Sequence, residues 1–272
     1  MSDSATVKTL QSINELTSAQ WNSCRAGDHP FVSHEFLRAL EESGSVGADA
    51  GWLPYHLALE VEGQLAGVAP MYVKGHSQGE YVFDHSWAHA YERAGGRYYP
   101  KLQLSVPFSP VTGPRLLVPE GPMREEHQRL LLQGAREVAV RNNLSSVHLT
   151  FLETAERELM AREGFLIRSG EQFHWINEGY ASFDDFLAQL SSRKRKAIRK
   201  ERDGAMEGRL EFEILSGPEI GEHHWDAFFN FYIDTGNRKW GVFQPARRLS
   251  CRSAGPVHDP AGGPLYRRGT QP

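Results

Sequence analysis

The sequence predicts an α/β protein in which helices flank a mixed β-sheet. The first half of the fold is predicted to be complete and the second half incomplete. Three observations carry this prediction. Apolar residues alternate in the short run 55–61, apolar residues recur at helical spacing after Pro122, and Gly, Pro or Asn separates each run from the next. At 272 residues and 40% hydrophobic content, the chain is long enough to bury a substantial core.

The first elements follow from local signals. Ser18–Ala26 is predicted to form a short helix, and Ser33 is predicted to cap the next one. Tyr55–Val61 alternates like a half-buried strand, Glu62-Gly63-Gln64 forms a tight turn, and Leu65–Val73 returns. These two strands therefore predict an antiparallel hairpin.

The elements that follow complete the first half. Pro122 opens a long helix that ends at Asn142. Val147–Phe151 alternates as a strand, and Thr154–Glu163 is a helix closed by Gly164, after which Phe165 is expected to begin another strand.

A second unit is predicted downstream of these elements. Its elements are a strand at Phe173–Asn177, a helix at Phe183–Leu190, a basic helix capped by Ser192, a strand at Leu210–Leu215 and a helix at His224–Thr235. The predicted domain limits are 1–170 for the first half and 171–243 for the start of the second.

The segment 244–272 loses all periodicity. Nine of its 29 residues are Gly or Pro, and five are Arg. We expect a disordered tail or a product of out-of-frame translation near Phe243, and the DNA reading frame beyond that codon decides between them.

Composition limits the class of protein. The net charge of −4 gives no general signature of polyanion binding, and no apolar run approaches the length of a membrane span. The N-terminal residues lack the pattern of a secretory signal, and Cys24 and Cys251 fit neither a metal motif nor a disulfide framework. We expect a cytoplasmic enzyme of bacterial type.

The most unusual stretch is Tyr81–Leu117, with seven aromatic residues, two His and four Pro in 37 residues. Its rings either line a ligand cleft or fill the core; they are those of Trp87, Tyr91, Tyr98, Tyr99 and Phe108. Lys101 and Arg115 bracket the region and are candidates to hold phosphate or carboxylate groups of a ligand.

Three other patterns carry candidate chemistry. Gly75-His-Ser-Gln-Gly79 matches the G-x-S-x-G pattern of serine hydrolases at Ser77, but bulky, β-favouring residues follow where a helix is required. His85 and His89 are four residues apart and lack the glutamate of a zinc peptidase, so we expect no metal. Asp84 precedes the predicted helix and is expected to cap it.

The basic helix is either a solvated surface or a site for an anionic partner such as tRNA. The cations that we assign to such a site are Arg193, Arg195, Lys196 and Arg199.

The segments FDHSWAHAYERAGGRYYPKLQLSVPFSPVTGPRLL, HPFVSHEFLRALEESG and FYIDTGNRKWG resemble the FemAB-like family of predicted N-acyltransferases. The resemblance covers roughly 30–241 and implies two GNAT-like halves, of which the second is incomplete here. It implies transfer of an acyl or aminoacyl group to an amine, with a small-molecule or peptidoglycan-precursor acceptor. The co-substrate is then acyl-CoA or aminoacyl-tRNA, with no covalently bound cofactor.

Within that resemblance, His85 and Asp84 are the candidates for proton transfer, and the aromatic residues with Lys101 and Arg115 are the candidates for acceptor binding. The usual GNAT loop for the pyrophosphate of acyl-CoA has no match in the sequence. The alternatives are a non-catalytic binding module, an inactive fragment of an acyltransferase, and a serine hydrolase that uses Ser77. An incomplete second half would leave apolar side chains exposed, and we therefore expect dimerisation or poor solubility.

Overall fold

A computed structural model describes residues 5–206, 211–240 and 266–270. These residues fall into two compact units. The first contains 5–167 and 232–240, and the second contains 168–206, 211–231 and 266–270.

The first unit contains two β-sheets. One has three antiparallel strands in the order β1-β3-β4, and the other has four strands in the order β2-β5-β6-β7. Strands β6 and β7 are parallel, whereas the other pairs are antiparallel, so the second sheet is mixed, as predicted. The strand limits are β1 (Ala5–Leu10), β2 (Trp52–Pro54), β3 (His56–Val61), β4 (Gln64–Ala69), β5 (Met71–Lys74), β6 (Lys101–Leu104) and β7 (Val147–Leu149).

Five α-helices complete the described part of this unit up to Ile167, together with short 3₁₀ turns at Ile13–Glu15 and Pro30–Val32. The helices are α1 (Ser18–Ser23), α2 (His34–Glu42), α3 (His85–Arg93), α4 (Arg124–Arg141) and α5 (Thr154–Arg162). Helix and strand elements alternate along the chain, which confirms the mixed α/β prediction.

The predicted hairpin is confirmed by β3 and β4. Glu62 and Gly63 connect them with φ angles of 52° and 76°, the left-handed conformation that a two-residue hairpin turn requires. The returning strand is interrupted after Ala69, and β5 then joins the other sheet.

Two helix limits were also predicted correctly. Ser33 caps α2, since its Oγ accepts a hydrogen bond of 3.3 Å from the Phe36 N–H. Gly164, with φ of 78°, follows the end of α5. Helix α1 ends at Ser23 rather than Ala26, and Phe165 begins no strand.

The main core lies between α4 and the strands of both sheets. Leu131 and Ala135 of α4 are fully buried in one cluster with Leu59 of β3 and Leu102 of β6. This packing fixes the N-terminal end of α4 relative to the sheets, and that end lines the cleft described below.

The second unit contains α6 (Phe183–Ala188), α7 (Ser192–Met206), β8 (Glu211–Leu215), a 3₁₀ turn at Gly217–Glu219 and the start of α8 (Glu222–Trp240). Strand β9 (Tyr266–Thr270) pairs antiparallel with β8.

Two local predictions for this unit were wrong. Phe173–Asn177 has no regular secondary structure, and its Phe173 ring is 96% exposed. Trp175 of this segment packs on the rings of Tyr180 and Phe186 instead of facing a neighbouring strand. Ser191, not Ser192, precedes α7, and its hydroxyl accepts the Lys194 N–H.

The predicted limits of the halves and the GNAT likeness stay predictions. The tail segment 244–272 lies outside the described residues except for β9. No helix in the described ranges combines the length and the apolar character needed to cross a membrane.

Candidate functional site

The aromatic residues of the Tyr81–Leu117 stretch lie partly at the surface and partly inside. Trp87 and Tyr91, on α3, are 64% and 53% exposed. Tyr98 and Tyr99 are half-buried, and their rings meet edge to face at 5.0 Å. Consecutive residues of a strand point to opposite faces, but Tyr98 and Tyr99 precede β6 and are not part of a strand. Both hydroxyls can therefore make hydrogen bonds inside the protein.

The structure brings several of the predicted site residues together around Lys101. Its ammonium, which is fully buried, donates to Ser77 Oγ at 3.1 Å, Glu80 Oε2 at 2.8 Å and Asp84 Oδ2 at 2.9 Å. Tyr98 donates to Asp84 Oδ2 at 2.7 Å, and the Tyr99 hydroxyl lies 2.7 Å from Ser77 Oγ. These six side chains, which we name the lysine cluster, are those of Ser77, Glu80, Asp84, Tyr98, Tyr99 and Lys101.

The electrostatics of the lysine cluster follow from its burial and its hydrogen bonds. Burial opposes ionisation of Asp84, but hydrogen bonds from neighbouring side chains outweigh it and hold the pKa of Asp84 below its ordinary value. Burial raises the pKa of Glu80 in spite of Lys101, and it lowers the pKa of nearby His148 to about 4. The cluster thus pairs a buried ammonium with two carboxylates.

This arrangement bears on the candidate nucleophile and proton carriers. All three N–H groups of Lys101 are used as donors, so its nitrogen has no lone pair directed at Ser77. Ser77 has no histidine partner among the residues that the structure describes. Asp84 stands at the N-cap of α3 without capping it, since its carboxylate faces Lys101 instead; that capping prediction was wrong. His85 is exposed.

Arg115 does not lie in the lysine cluster. Its side chain is fully buried, and its guanidinium donates to the carbonyl oxygens of Val111, Pro114, Thr150 and Phe151. It therefore joins the segment before α4 to the end of β7, and its donors are directed at the main chain.

Two other groups of predicted residues lie elsewhere. Phe108 packs 5.5 Å from Trp52 and over Gly79, where an added Cβ would lie 2.7 Å from its ring. On α7, Arg193, Lys196 and Arg199 are exposed and Arg195 is half-buried. Their proposed anionic partner stays a prediction.

The large cleft of the first unit is formed by different residues. It has a volume of about 920 Å³ and lies where the segment after α1, the segment before α4, and the N-terminal ends of α4 and α5 meet. This volume suits a small-molecule ligand or part of a larger one. None of the five predicted aromatic residues lines it.

Charged side chains dominate the walls of this cleft. Its carboxylates belong to Asp28, Glu120, Glu125, Glu153, Glu156 and Glu158, and its guanidinium groups to Arg25, Arg124 and Arg162. Acidic residues in the first turn of a helix are stabilised by the helix dipole whatever their function. Six carboxyl groups against three guanidinium groups nevertheless give the whole cleft an acidic character.

The arginines of the cleft are already paired with carboxylates. Ion pairs join Arg25 to Asp28, Arg124 to Glu120 and Arg162 to Glu125. The remaining three carboxylates form no ion pair with a cation in the part of the chain that the structure describes; they are those of Glu153, Glu156 and Glu158. The cleft thus offers unpaired negative charge.

Two wall residues also carry buried polar atoms without a hydrogen-bond partner in the described ranges, namely Arg25 Nε and His29 Nδ1. His29 Nε2 lies 3.0 Å from the Thr112 carbonyl oxygen, and a hydrogen bond there makes Nε2 the donor and leaves Nδ1 as an acceptor. Polar atoms of this kind are usually satisfied by water or by a ligand.

Glu156 is the buried carboxylate of the cleft, with 4% of its side chain exposed. Its Oε1 accepts the N–H groups of Arg115 at 3.0 Å and Leu116 at 2.9 Å, and its Oε2 accepts that of Arg115 at 2.9 Å. Burial raises the pKa of Glu156 to about 7, against the lowering effect of these backbone hydrogen bonds. A carboxyl with such a pKa exchanges its proton near neutral pH.

The members of the lysine cluster except Glu80 were predicted from the sequence, but the cleft was not. The lining residues come from four segments that are far apart in sequence, and none carries a recognisable motif. The position of Glu156 in the first turn of α5 was the available signal, and helix-dipole effects alone account for a glutamate there.

No curated protein matches the chain. The model of one protein family, described as peptidoglycan biosynthesis/recognition, matches residues 12–248. This match covers most of the chain, and the protein therefore belongs to the FemAB-like family.

Proposed function

We propose that this protein is an N-acyltransferase, which transfers an acyl or aminoacyl group from an activated ester or thioester to an amine of a peptidoglycan precursor. The cleft at the N-terminal ends of α4 and α5 binds the amine. The family membership supports the link to peptidoglycan. The observation that carries the proposal is the unpaired negative charge in a cleft of about 920 Å³.

The charge of the cleft favours the acceptor over the donor. An amine is an ammonium ion near neutral pH, and an acidic cleft attracts it. The phosphates of acyl-CoA or tRNA are repelled by the same carboxylates, so we place the donor phosphates outside this cleft. The exposed cations of α7 provide one surface for an anionic donor.

Amide formation of this kind needs no covalent enzyme intermediate. It needs a positioned amine, a group that takes a proton, and donors that polarise the acyl carbonyl. In the lysine cluster the Lys101 ammonium donates to Ser77, and no histidine pairs with Ser77 in the described residues, which argues against the hydrolase alternative.

A transfer assay tests the proposal. The protein is incubated with a radiolabelled donor, either acyl-CoA or aminoacyl-tRNA, and with a precursor peptide that carries a free lysine amine. We expect label in the peptide with one donor class and none when the amine is acetylated beforehand.

Binding of the peptide without transfer from either donor class would favour the alternative of a non-catalytic binding module. Labelling of Ser77 by a fluorophosphonate probe, lost in Ser77→Ala, would favour the hydrolase instead.

A further inference from the structure

We propose that Glu156 is the carboxylate that receives the ammonium of the acceptor in the cleft and takes its proton. This inference rests on the proposed function, and it adds a catalytic residue to it. His85 and Asp84 were the sequence-based candidates for that role. The exposure of His85 and the engagement of Asp84 with Lys101 make both less suitable than a carboxylate inside the cleft.

The position of Glu156 is fixed by two independent elements. Helix α5 supplies the residue in its first turn, and the main chain at Arg115 and Leu116 holds both carboxylate oxygens. The guanidinium of Arg115 in turn fixes this main chain through four carbonyl oxygens. A carboxylate held in this way keeps one orientation in the cleft, as a proton acceptor must.

Burial gives this carboxylate suitable chemistry. Its pKa of about 7 makes it a better base than an exposed glutamate, while it is still ionised in part at neutral pH. Glu153 and Glu158 line the same cleft but are exposed. They add negative charge without the same protection from water.

The ionised Glu156 takes one proton from the ammonium, and the nitrogen lone pair of the resulting amine then forms a bond to the acyl carbon of an ester or thioester. The bond from that carbon to the leaving oxygen or sulfur breaks. The second proton lost by the nitrogen goes to the leaving group, and the third stays on the amide.

Other charged groups line the cleft around Glu156 and contribute to any pH dependence. Those from the segments outside α5 are Arg25, Asp28, His29, Glu120, Arg124 and Glu125. Those from α5 and its N-cap are Glu153, Glu158 and Arg162. The charge of Arg115 also acts on Glu156 and lowers its pKa. His29 has its own control variant, because its ring lies in the wall of the same cleft.

Glu156→Gln is the informative variant. Oε1 already accepts both backbone N–H groups, so the amide oxygen of glutamine retains these hydrogen bonds at that position, and only the second contact of the Arg115 N–H, to Oε2, is lost. The variant loses the charge and the titration but keeps the size of the side chain. Glu153→Gln removes one exposed charge from the same cleft, and His29→Gln removes the imidazole; both are controls.

The first measurement needs no turnover. Binding of Nα-acetyl-lysine methyl ester is followed by NMR between pH 5.5 and 8.5, because its single amine stays an ammonium ion throughout this range. In the wild type, Glu153→Gln and His29→Gln, we expect affinity to fall roughly tenfold per pH unit below pH 7, whereas in Glu156→Gln it stays flat. Wild-type affinity that is constant through pH 7, or that declines equally in Glu156→Gln, would overturn the proposal.

The second measurement is the rate of transfer. We expect Glu156→Gln to lower kcat about 100-fold at pH 8, to change the acceptor KM much less, and to lose the acid limb of the pH profile. Wild-type kcat in this variant would refute the proton-transfer role. An absence of transfer with every donor, combined with Glu156-dependent binding of the probe, would overturn the proposed function and support Glu156 as the amine-binding group.

Discussion

Replacing Lys101 with methionine removes the ammonium that faces Glu80 and Asp84 and leaves both carboxylates buried. All three side chains are at most 3% exposed in their ion pairs, at N–O distances of 2.8 and 2.9 Å. Removing one partner of a buried ion pair destabilises proteins by about 3–5 kcal/mol, because the remaining charge has no compensation. We therefore expect Lys101→Met to lose about 3–5 kcal/mol of unfolding free energy at pH 7.5.

Urea unfolding monitored by circular dichroism measures this loss. With a typical urea dependence, the midpoint should fall by about 1–3 M. The deficit should shrink at acidic pH, where protonation neutralises the two carboxylates. Lys8→Met is the matched control, since Lys8 pairs with Glu60 at 2.5 Å but is 52% exposed, and it should cost at most about 1 kcal/mol. A Lys101→Met loss no larger than that of the control would refute this reading of the lysine cluster.

Three further changes test other parts of the structure. The folded-state pKa of Glu156, about 7, exceeds its ordinary 4.5, so wild-type stability should fall by up to about 3 kcal/mol as pH rises between these values. Glu156→Gln should flatten that slope in urea titrations, and an unchanged slope would contradict the assignment. Arg115→Met leaves buried carbonyls without donors and should cost about 2–4 kcal/mol, measured by thermal unfolding; an unchanged Tm would be inconsistent with the described contacts. Gly134→Ala places a Cβ 2.5 Å from Val7 and should cost about 1 kcal/mol, whereas Gly170→Ala, with nothing within 4 Å, should change stability by less than about 0.5 kcal/mol; equal effects would contradict this packing.

Local signals in the sequence predicted much of the fold. The hairpin turn at Glu62-Gly63, the Ser33 cap and the Gly164 helix end each depend on a few neighbouring residues, and each was predicted correctly. The strand at Phe173–Asn177 was not, because a strand needs a neighbouring strand to pair with, and this segment pairs with none in the described part of the chain.

The roles of side chains depended on residues far along the chain. Lys101 and Arg115 were predicted to face a ligand, but the fold supplies Lys101 with Glu80 and Asp84, and Arg115 with carbonyl oxygens at the end of β7. These partners are distant in sequence, and no short pattern records the pairing. The cleft escaped prediction for the same reason, since four separate segments form its walls.

The most direct test of the account is the binding of a precursor peptide with a free lysine amine, compared with the same peptide acetylated at that amine. Calorimetry at pH 8 and low ionic strength gives both affinities. If the acidic cleft binds the acceptor amine, acetylation should weaken binding at least tenfold, and Glu156→Gln should remove most of that difference. Equal affinities for the two peptides would contradict the assignment of this cleft to the acceptor.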